Sequence, residues 1–92
     1  MDDVLLVFNA GSTSLKFAAY GVDAARTLSP LLSGGIDAMQ VSPRFAAADA
    51  QGRALGEREW PAGHPIDHDE ALRFAVMWLQ GHLSGAGILA VG

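Results

Sequence analysis

The chain has 92 residues, half of them hydrophobic and 17% charged, with a formal net charge of −4 and no cysteine. That acidic balance argues against a nucleic-acid or anionic-membrane partner, and the absence of cysteine excludes disulfides, a thiol nucleophile and thiolate metal sites. No run approaches transmembrane length, and Met1-Asp2-Asp3 lacks the basic start of a signal peptide, so the cytoplasm is the expected location.

The first element is the apolar run Val4 to Phe8, which predicts a strand over about residues 3–9. It stops at Asn9-Ala10-Gly11-Ser12-Thr13-Ser14. The chain then alternates, with Leu15, Phe17 and Ala19 on one face and Lys16, Ala18 and Tyr20 on the other, which predicts a second strand over 14–21. The two strands form a hairpin whose turn is made of hydroxyl residues and a glycine. As turn formers alone these residues require no ligand, and Lys16 alone would read as a solvated strand lysine. As an ordered set they form a cradle for a phosphate: Gly11 lets backbone N–H groups approach, Ser12, Thr13 and Ser14 offer hydroxyls, and Lys16 offers an ammonium. Asn9 adds an amide oxygen of the hard type that Mg²⁺ accepts directly or through water. A P-loop is excluded, because that motif needs a glycine before its lysine and a helix after it, whereas Leu15 precedes Lys16 and a strand follows.

A turn region runs from Gly21 to Pro30. A third strand is expected over about 31–37, starting after Pro30 because proline removes a ladder bond from a central strand. Arg44–Asp49 and Ala54–Trp60 flank Ala50-Gln51-Gly52-Arg53 and read as a further hairpin, placed at a surface by its Ala- and Glu-rich strands. A loop over 61–65 leads to a helix over about 68–83. Its start is marked by Asp67 as N-cap, with Glu70 placed to close a capping box and Asp69 adding charge at the positive end of the dipole. This makes the acidic trio a cap rather than a catalytic carboxylate pair. His64 and His68 straddle the loop–helix junction and read as surface residues, His82 as a residue facing the helix C-terminus, and Trp60 and Trp78 as packing residues. Ser84-Gly85-Ala86-Gly87 turns the chain into a final strand, Ile88 to Val91. A helix-linked return lets this strand run parallel to the first. The expected sheet order is 3-2-1-4, with 4 the final strand, plus one crossover helix and the extra hairpin.

Phe8-Asn9-Ala10-Gly11-Ser12-Thr13-Ser14-Leu15-Lys16-Phe17 resembles the N-terminal signature of the acetate kinase (acetokinase) family, N-A-G-S-S-S-L-K-F after a hydrophobic strand. Thr13 departs from the commonest form and keeps the hydroxyl. A butyrate kinase typically has N-P-G-S-T-S-T-K, so Thr13 leans that way while Ala10 and Leu15 lean towards acetate or propionate kinase. Weaker likenesses follow: Leu32 to Ile36 at the family's third strand, Asp67 to Leu72 at its DH-x-x-AL helix start, and Ile88 to Gly92 at the strand before an HRVVHGG-like segment.

The resemblance implies a sugar kinase, heat-shock ATPase and actin superfamily member. Its α/β fold would be a partial ribonuclease H-like (actin-like ATPase) domain, with residues 1–92 the N-terminal part of the nucleotide- and phosphate-binding domain. It implies reversible transfer of the γ-phosphoryl group of ATP to acetate, giving ADP and acetyl phosphate, with Mg²⁺ as cofactor and the intact enzyme a homodimer. Lys16, Ser12 and Ser14 would serve the phosphate, Gly11 and Thr13 the loop shape, and Asn9 the metal. The family's substrate arginine, catalytic aspartate, transition-state arginine and histidine and adenosine pocket are expected beyond Gly92, so the 92 residues alone are expected to be inactive. Two physical features carry the same expectation of a longer protein: the apolar ending ILAVG, and a helix apolar on most sides, which 92 residues can hardly bury. The isolated chain is then expected to expose a contiguous apolar surface. The reading from another class is a non-catalytic phosphate- or nucleotide-binding module.

Overall fold

A computed structural model describes residues 3–83 and the backbone of 87–91. The strands are β1 (Asp3–Ala10), β2 (Leu15–Val22), β3 (Leu28–Asp37), β4 (Arg44–Asp49), β5 (Ala54–Glu59) and β6 (Gly87–Val91), with one helix, α1 (His68–His82), between β5 and β6. They form one sheet in the order β5-β4-β3-β2-β1-β6. Four neighbouring pairs are antiparallel, and β6 runs parallel to β1. The turn expected at 84–86 and the burial expected of Ile88 to Val91 lie outside the described residues.

Two expectations are corrected. The third strand begins at Leu28 and takes in Pro30, which pairs with Tyr20 where the register with β2 shifts. Proline is tolerated there because β4 pairs only from Leu32 onward, leaving Pro30 at a sheet edge and beside a bulge. The second hairpin is no surface appendage. It extends the same sheet, and Phe45 and Ala47 of β4 are buried in the core. Its composition concealed this because only alternate residues face inward, and a few of these suffice to dock it. The turn itself is as expected: Gly52 takes φ +84°, and Asp49 accepts from the N–H groups of Gln51 and Arg53, each at 2.9 Å.

The sheet has a covered and an open face. Val4 and Leu6 of β1, Leu15, Phe17 and Ala19 of β2, Leu32 and Ile36 of β3, and Phe45 of β4 point towards α1 and are buried. Ala71, Ala75 and Leu79 repeat every four residues and seat the helix on them. Around this contact the aromatic rings interlock: Phe45 lies 4.9 Å from Phe74 and 5.2 Å from Trp78, both edge-on, and Trp60 lies 5.2 Å from Phe74. Burying a ring such as Phe45 is worth roughly 1.5–3 kcal/mol, so these few rings outweigh any exposed ion pair on the surface. The Arg58 guanidinium closes the cluster 4.5 Å above Trp60.

The open face carries Leu5, Val7, Asn9, Lys16, Ala18 and Tyr20, the residues alternating with the core positions of β1 and β2. Val7 is 38% exposed there, and on the helix Leu72 and Met77 are 40% and 71% exposed. The helix expected to be apolar on most sides is thus covered by the sheet on one side only, among the described residues. No helix among them is long and apolar enough to cross a membrane.

Candidate functional site at the β1–β2 turn

β1 and β2 are held in register along their whole length, and the register sets the site. Asn9 stands directly opposite Lys16, and Ala10 opposite Leu15. Both polar side chains therefore share the open face at the end of the hairpin that carries the turn. The turn, Gly11 to Ser14, is closed by the Gly11 N–H donating to the Ser14 carbonyl at 2.9 Å. A Cβ on Gly11 would stand 2.7 Å from Ser14 Oγ, so the position accepts only glycine without displacing that hydroxyl. Among the described residues the N–H groups of Ser12, Thr13 and Ser14 find no backbone or side-chain acceptor. Successive N–H donors without a protein acceptor are what an anion requires of a loop.

The turn is tied to the rest of the fold at two points. The Met39 N–H donates to the Thr13 carbonyl at 3.1 Å, and the Ile66 N–H donates to the Met39 carbonyl at 2.9 Å. Met39 and Ile66 are both buried, so this chain of bonds anchors the turn in the core. The second tie comes from His68, the first residue of α1, whose Nε2 lies 2.6 Å from the Gly11 carbonyl oxygen. A carbonyl can only accept, so Nε2 carries the hydrogen. His68 is exposed at the surface, as expected, but its bond to Gly11 was not anticipated. No local signal could have revealed this contact, because its partner lies 57 positions earlier in the chain.

Lys16 has a partner that the sequence reading also missed. Its Nζ lies 3.1 Å from Asp37 Oδ1, with the two side chains 59% and 62% exposed. Gly35 makes that path possible. It faces Lys16 across β2 and β3, and a Cβ there would stand 3.0 Å from Lys16 Cδ and 2.7 Å from the Leu15 carbonyl oxygen. The lysine stem thus lies along the space left by the missing side chain. Gly34, next in sequence, is covered on the other face by its own partner Phe17.

Ser12 lines an open cleft of about 440 Å³ together with Met39, Gln40, Ile66, Asp67 and His68. Glu70 also lines it, rather than closing the expected capping box, of which only the Asp67 half is present: Asp67 Oδ1 accepts from the Glu70 N–H at 2.8 Å. Lys16 does not line this cleft. The structure therefore brings Asn9 and Lys16 together on the open sheet face, and sets Ser12 against the start of α1. Elsewhere, His82 stacks on Trp78 with ring centroids 4.9 Å apart. Among the described residues no group of three or more His, Cys, Asp or Glu side chains could hold a metal ion. Asn9, Ser12 and Thr13 are exposed and Ser14 is half-buried, so their side chains offer uncharged hard oxygens. Such a set suits Mg²⁺ that is bound mostly by phosphate oxygens and water.

No family model matches the chain. The acetate kinase of Rhodopseudomonas palustris strain TIE-1 is 34% identical over 93 residues, covering all of this chain and 23% of that protein. The acetate kinase of Rhizobium meliloti is 37% identical over 90 residues, covering 98% of this chain and 22% of that protein. That of Nitrobacter hamburgensis is 32% identical over 81 residues, covering 88% and 20%. All three of these relatives are named acetate kinases. The chain belongs to the acetate kinase family, and it spans less than a quarter of the length of the curated relatives it matches.

Proposed function

We propose that the β1–β2 turn binds the transferring phosphate in an acetate kinase reaction carried out by a longer protein, of which residues 1–92 form part of the nucleotide- and phosphate-binding domain. The observation that carries this reading is the anchored turn: three N–H groups without a protein acceptor among the described residues, flanked by hydroxyls, with Lys16 and Asn9 paired across the strands beside it. The identity with acetate kinases across the whole chain supports it further. A sheet with β3-β2-β1-β6 in sequence, antiparallel except for the helix-linked β6, supports a ribonuclease H-like domain.

In this reaction a carboxylate oxygen of acetate attacks the γ-phosphorus of ATP, the bond to the β-phosphate oxygen breaks, and ADP leaves with that electron pair. The turn's N–H groups and the Ser12 and Ser14 hydroxyls hold the phosphoryl oxygens. Lys16 leaves Asp37 to balance the charge on those oxygens, and its exposed ion pair is weak enough to yield. Gly11 and Thr13 keep the turn in shape. Mg²⁺, when bound, would neutralise phosphate charge, with Asn9 as its contact from this chain.

Lys16→Ala in the full-length protein tests the reading. Loss of one preorganised cation should lower kcat on the order of 10²-fold. An unchanged kcat/KM would make Lys16 a solvated strand residue and remove the phosphate site.

A further inference from the structure

A four-residue turn ordinarily closes with the fourth N–H donating to the first carbonyl. Here that bond is absent among the described residues: the Gly11 N–H reaches the Ser14 carbonyl, but the Gly11 carbonyl is taken by His68 Nε2 at 2.6 Å. Two consequences follow from geometry. The Ser14 N–H is not consumed in closing the turn. In addition, a trans peptide directs its N–H opposite to its C=O, and no described peptide is cis. Holding the Gly11 carbonyl against α1 therefore aims the Ser12 N–H away from the helix.

We propose that His68 is a positioning residue that draws the Gly11 carbonyl onto its Nε2–H and so keeps the turn open, with the Ser12 and Ser14 N–H groups directed at the phosphate. His68 is well placed for this. It is the first residue of α1, directly after the Asp67 cap, and the buried Ala71 and Ala75 seat that helix on the sheet. The imidazole thus links a rigid element to the loop. Without it, the Gly11 carbonyl is free to accept from the Ser14 N–H, and the turn loses one donor while the other rotates. This rests on the phosphate-site reading above and adds to it the residue that sets the loop's donors.

The test compares wild type, His68→Phe, His68→Gln and Lys16→Ala in the full-length protein, measuring kcat and KM for ATP and for acetate alongside the melting temperature. His68→Phe misaligns the turn's donors without deleting one from the chain. It should therefore lower kcat/KM for ATP about tenfold, less than the roughly 10²-fold that losing a preorganised donor costs, with KM for acetate unchanged. His68→Gln, whose side-chain amide can donate to the same carbonyl, should recover most of that loss. A His68→Phe protein that only melts earlier, with wild-type kinetics, overturns the proposal by showing a structural role alone. So does His68→Gln failing as badly as His68→Phe, a comparison that still decides the matter through His68→Gln against wild type if the phenylalanine variant does not fold. Normal kinetics in His68→Phe beside a large loss in Lys16→Ala rejects the role of His68 and keeps the phosphate site. Normal kinetics in Lys16→Ala rejects both.

Discussion

Gly35 joins the fold to the site, and Gly35→Ala puts a magnitude on that connection. Two effects oppose each other. Alanine in a strand recovers about 0.5–1 kcal/mol of the entropy that glycine loses on folding. Against it, the new methyl would stand 2.7 Å from the Leu15 carbonyl oxygen and 3.0 Å from Lys16 Cδ. The lysine stem can swing aside, but the carbonyl belongs to the β2 backbone and yields only if the two strands part. Overpacking of this kind costs roughly 1–3 kcal/mol, so at mid-range values the clash wins by about 1.25 kcal/mol after the entropy gain is set against it. At about 4–8 °C per kcal/mol for a domain of this size, thermal unfolding should come roughly 5–10 °C earlier. Asp37→Asn is the comparison, because it removes the same ion pair without adding bulk. That pair is more than half exposed, so its loss should cost about 1 kcal/mol or less. Calorimetry of the three proteins, with kcat measured beside it, decides the matter. If Gly35→Ala melts within a degree of wild type and keeps its kcat, the lysine stem does not depend on the space at Gly35 and the reasoning fails.

Asp67→Ala removes the acceptor of the Glu70 N–H and should cost about 1 kcal/mol, read as an earlier loss of helical circular dichroism; an unchanged melt would mean that the packing of Ala71, Ala75 and Leu79 fixes the helix start without the cap. The Asp49 carboxylate is held below its ordinary value of 3.8 chiefly by the Arg53 N–H, opposed by its own desolvation and assisted by the Gln51 N–H and the Arg53 charge. A depressed pKa contributes stability that is present above the unfolded value and lost as pH falls through the folded one. Asp49→Asn should therefore melt earlier than wild type at neutral pH, with the gap closing below pH 3.8; a gap constant with pH would show that the charge contributes nothing to the turn.

Local chemistry made much of this protein legible in its sequence. Alternation fixed the inward set Leu15, Phe17 and Ala19, and it put Lys16 on the opposite face before any pairing was known. Asp67 announced the start of α1, and Gly52 the second hairpin turn, because caps and positive-φ turns are decided within a few residues. The ordered stretch from Asn9 to Lys16 marked the candidate site for the same reason, since one turn and its two flanking residues hold all of its candidate groups. What the sequence left undetermined depends on partners distant along the chain. Pro30 could enter β3 only because β4 stops pairing short of it, and Phe45 joined the core only because β4 docks on β3. Lys16 meets Asp37 because a glycine two positions before that aspartate leaves a track across the sheet. His68 reaches Gly11 because α1 begins beside the turn, a placement set by the packing of Ala71, Ala75 and Leu79 on the sheet. Hydrogen bonds and packing between distant segments carry no local sequence signature, so only the assembled sheet and helix could reveal them.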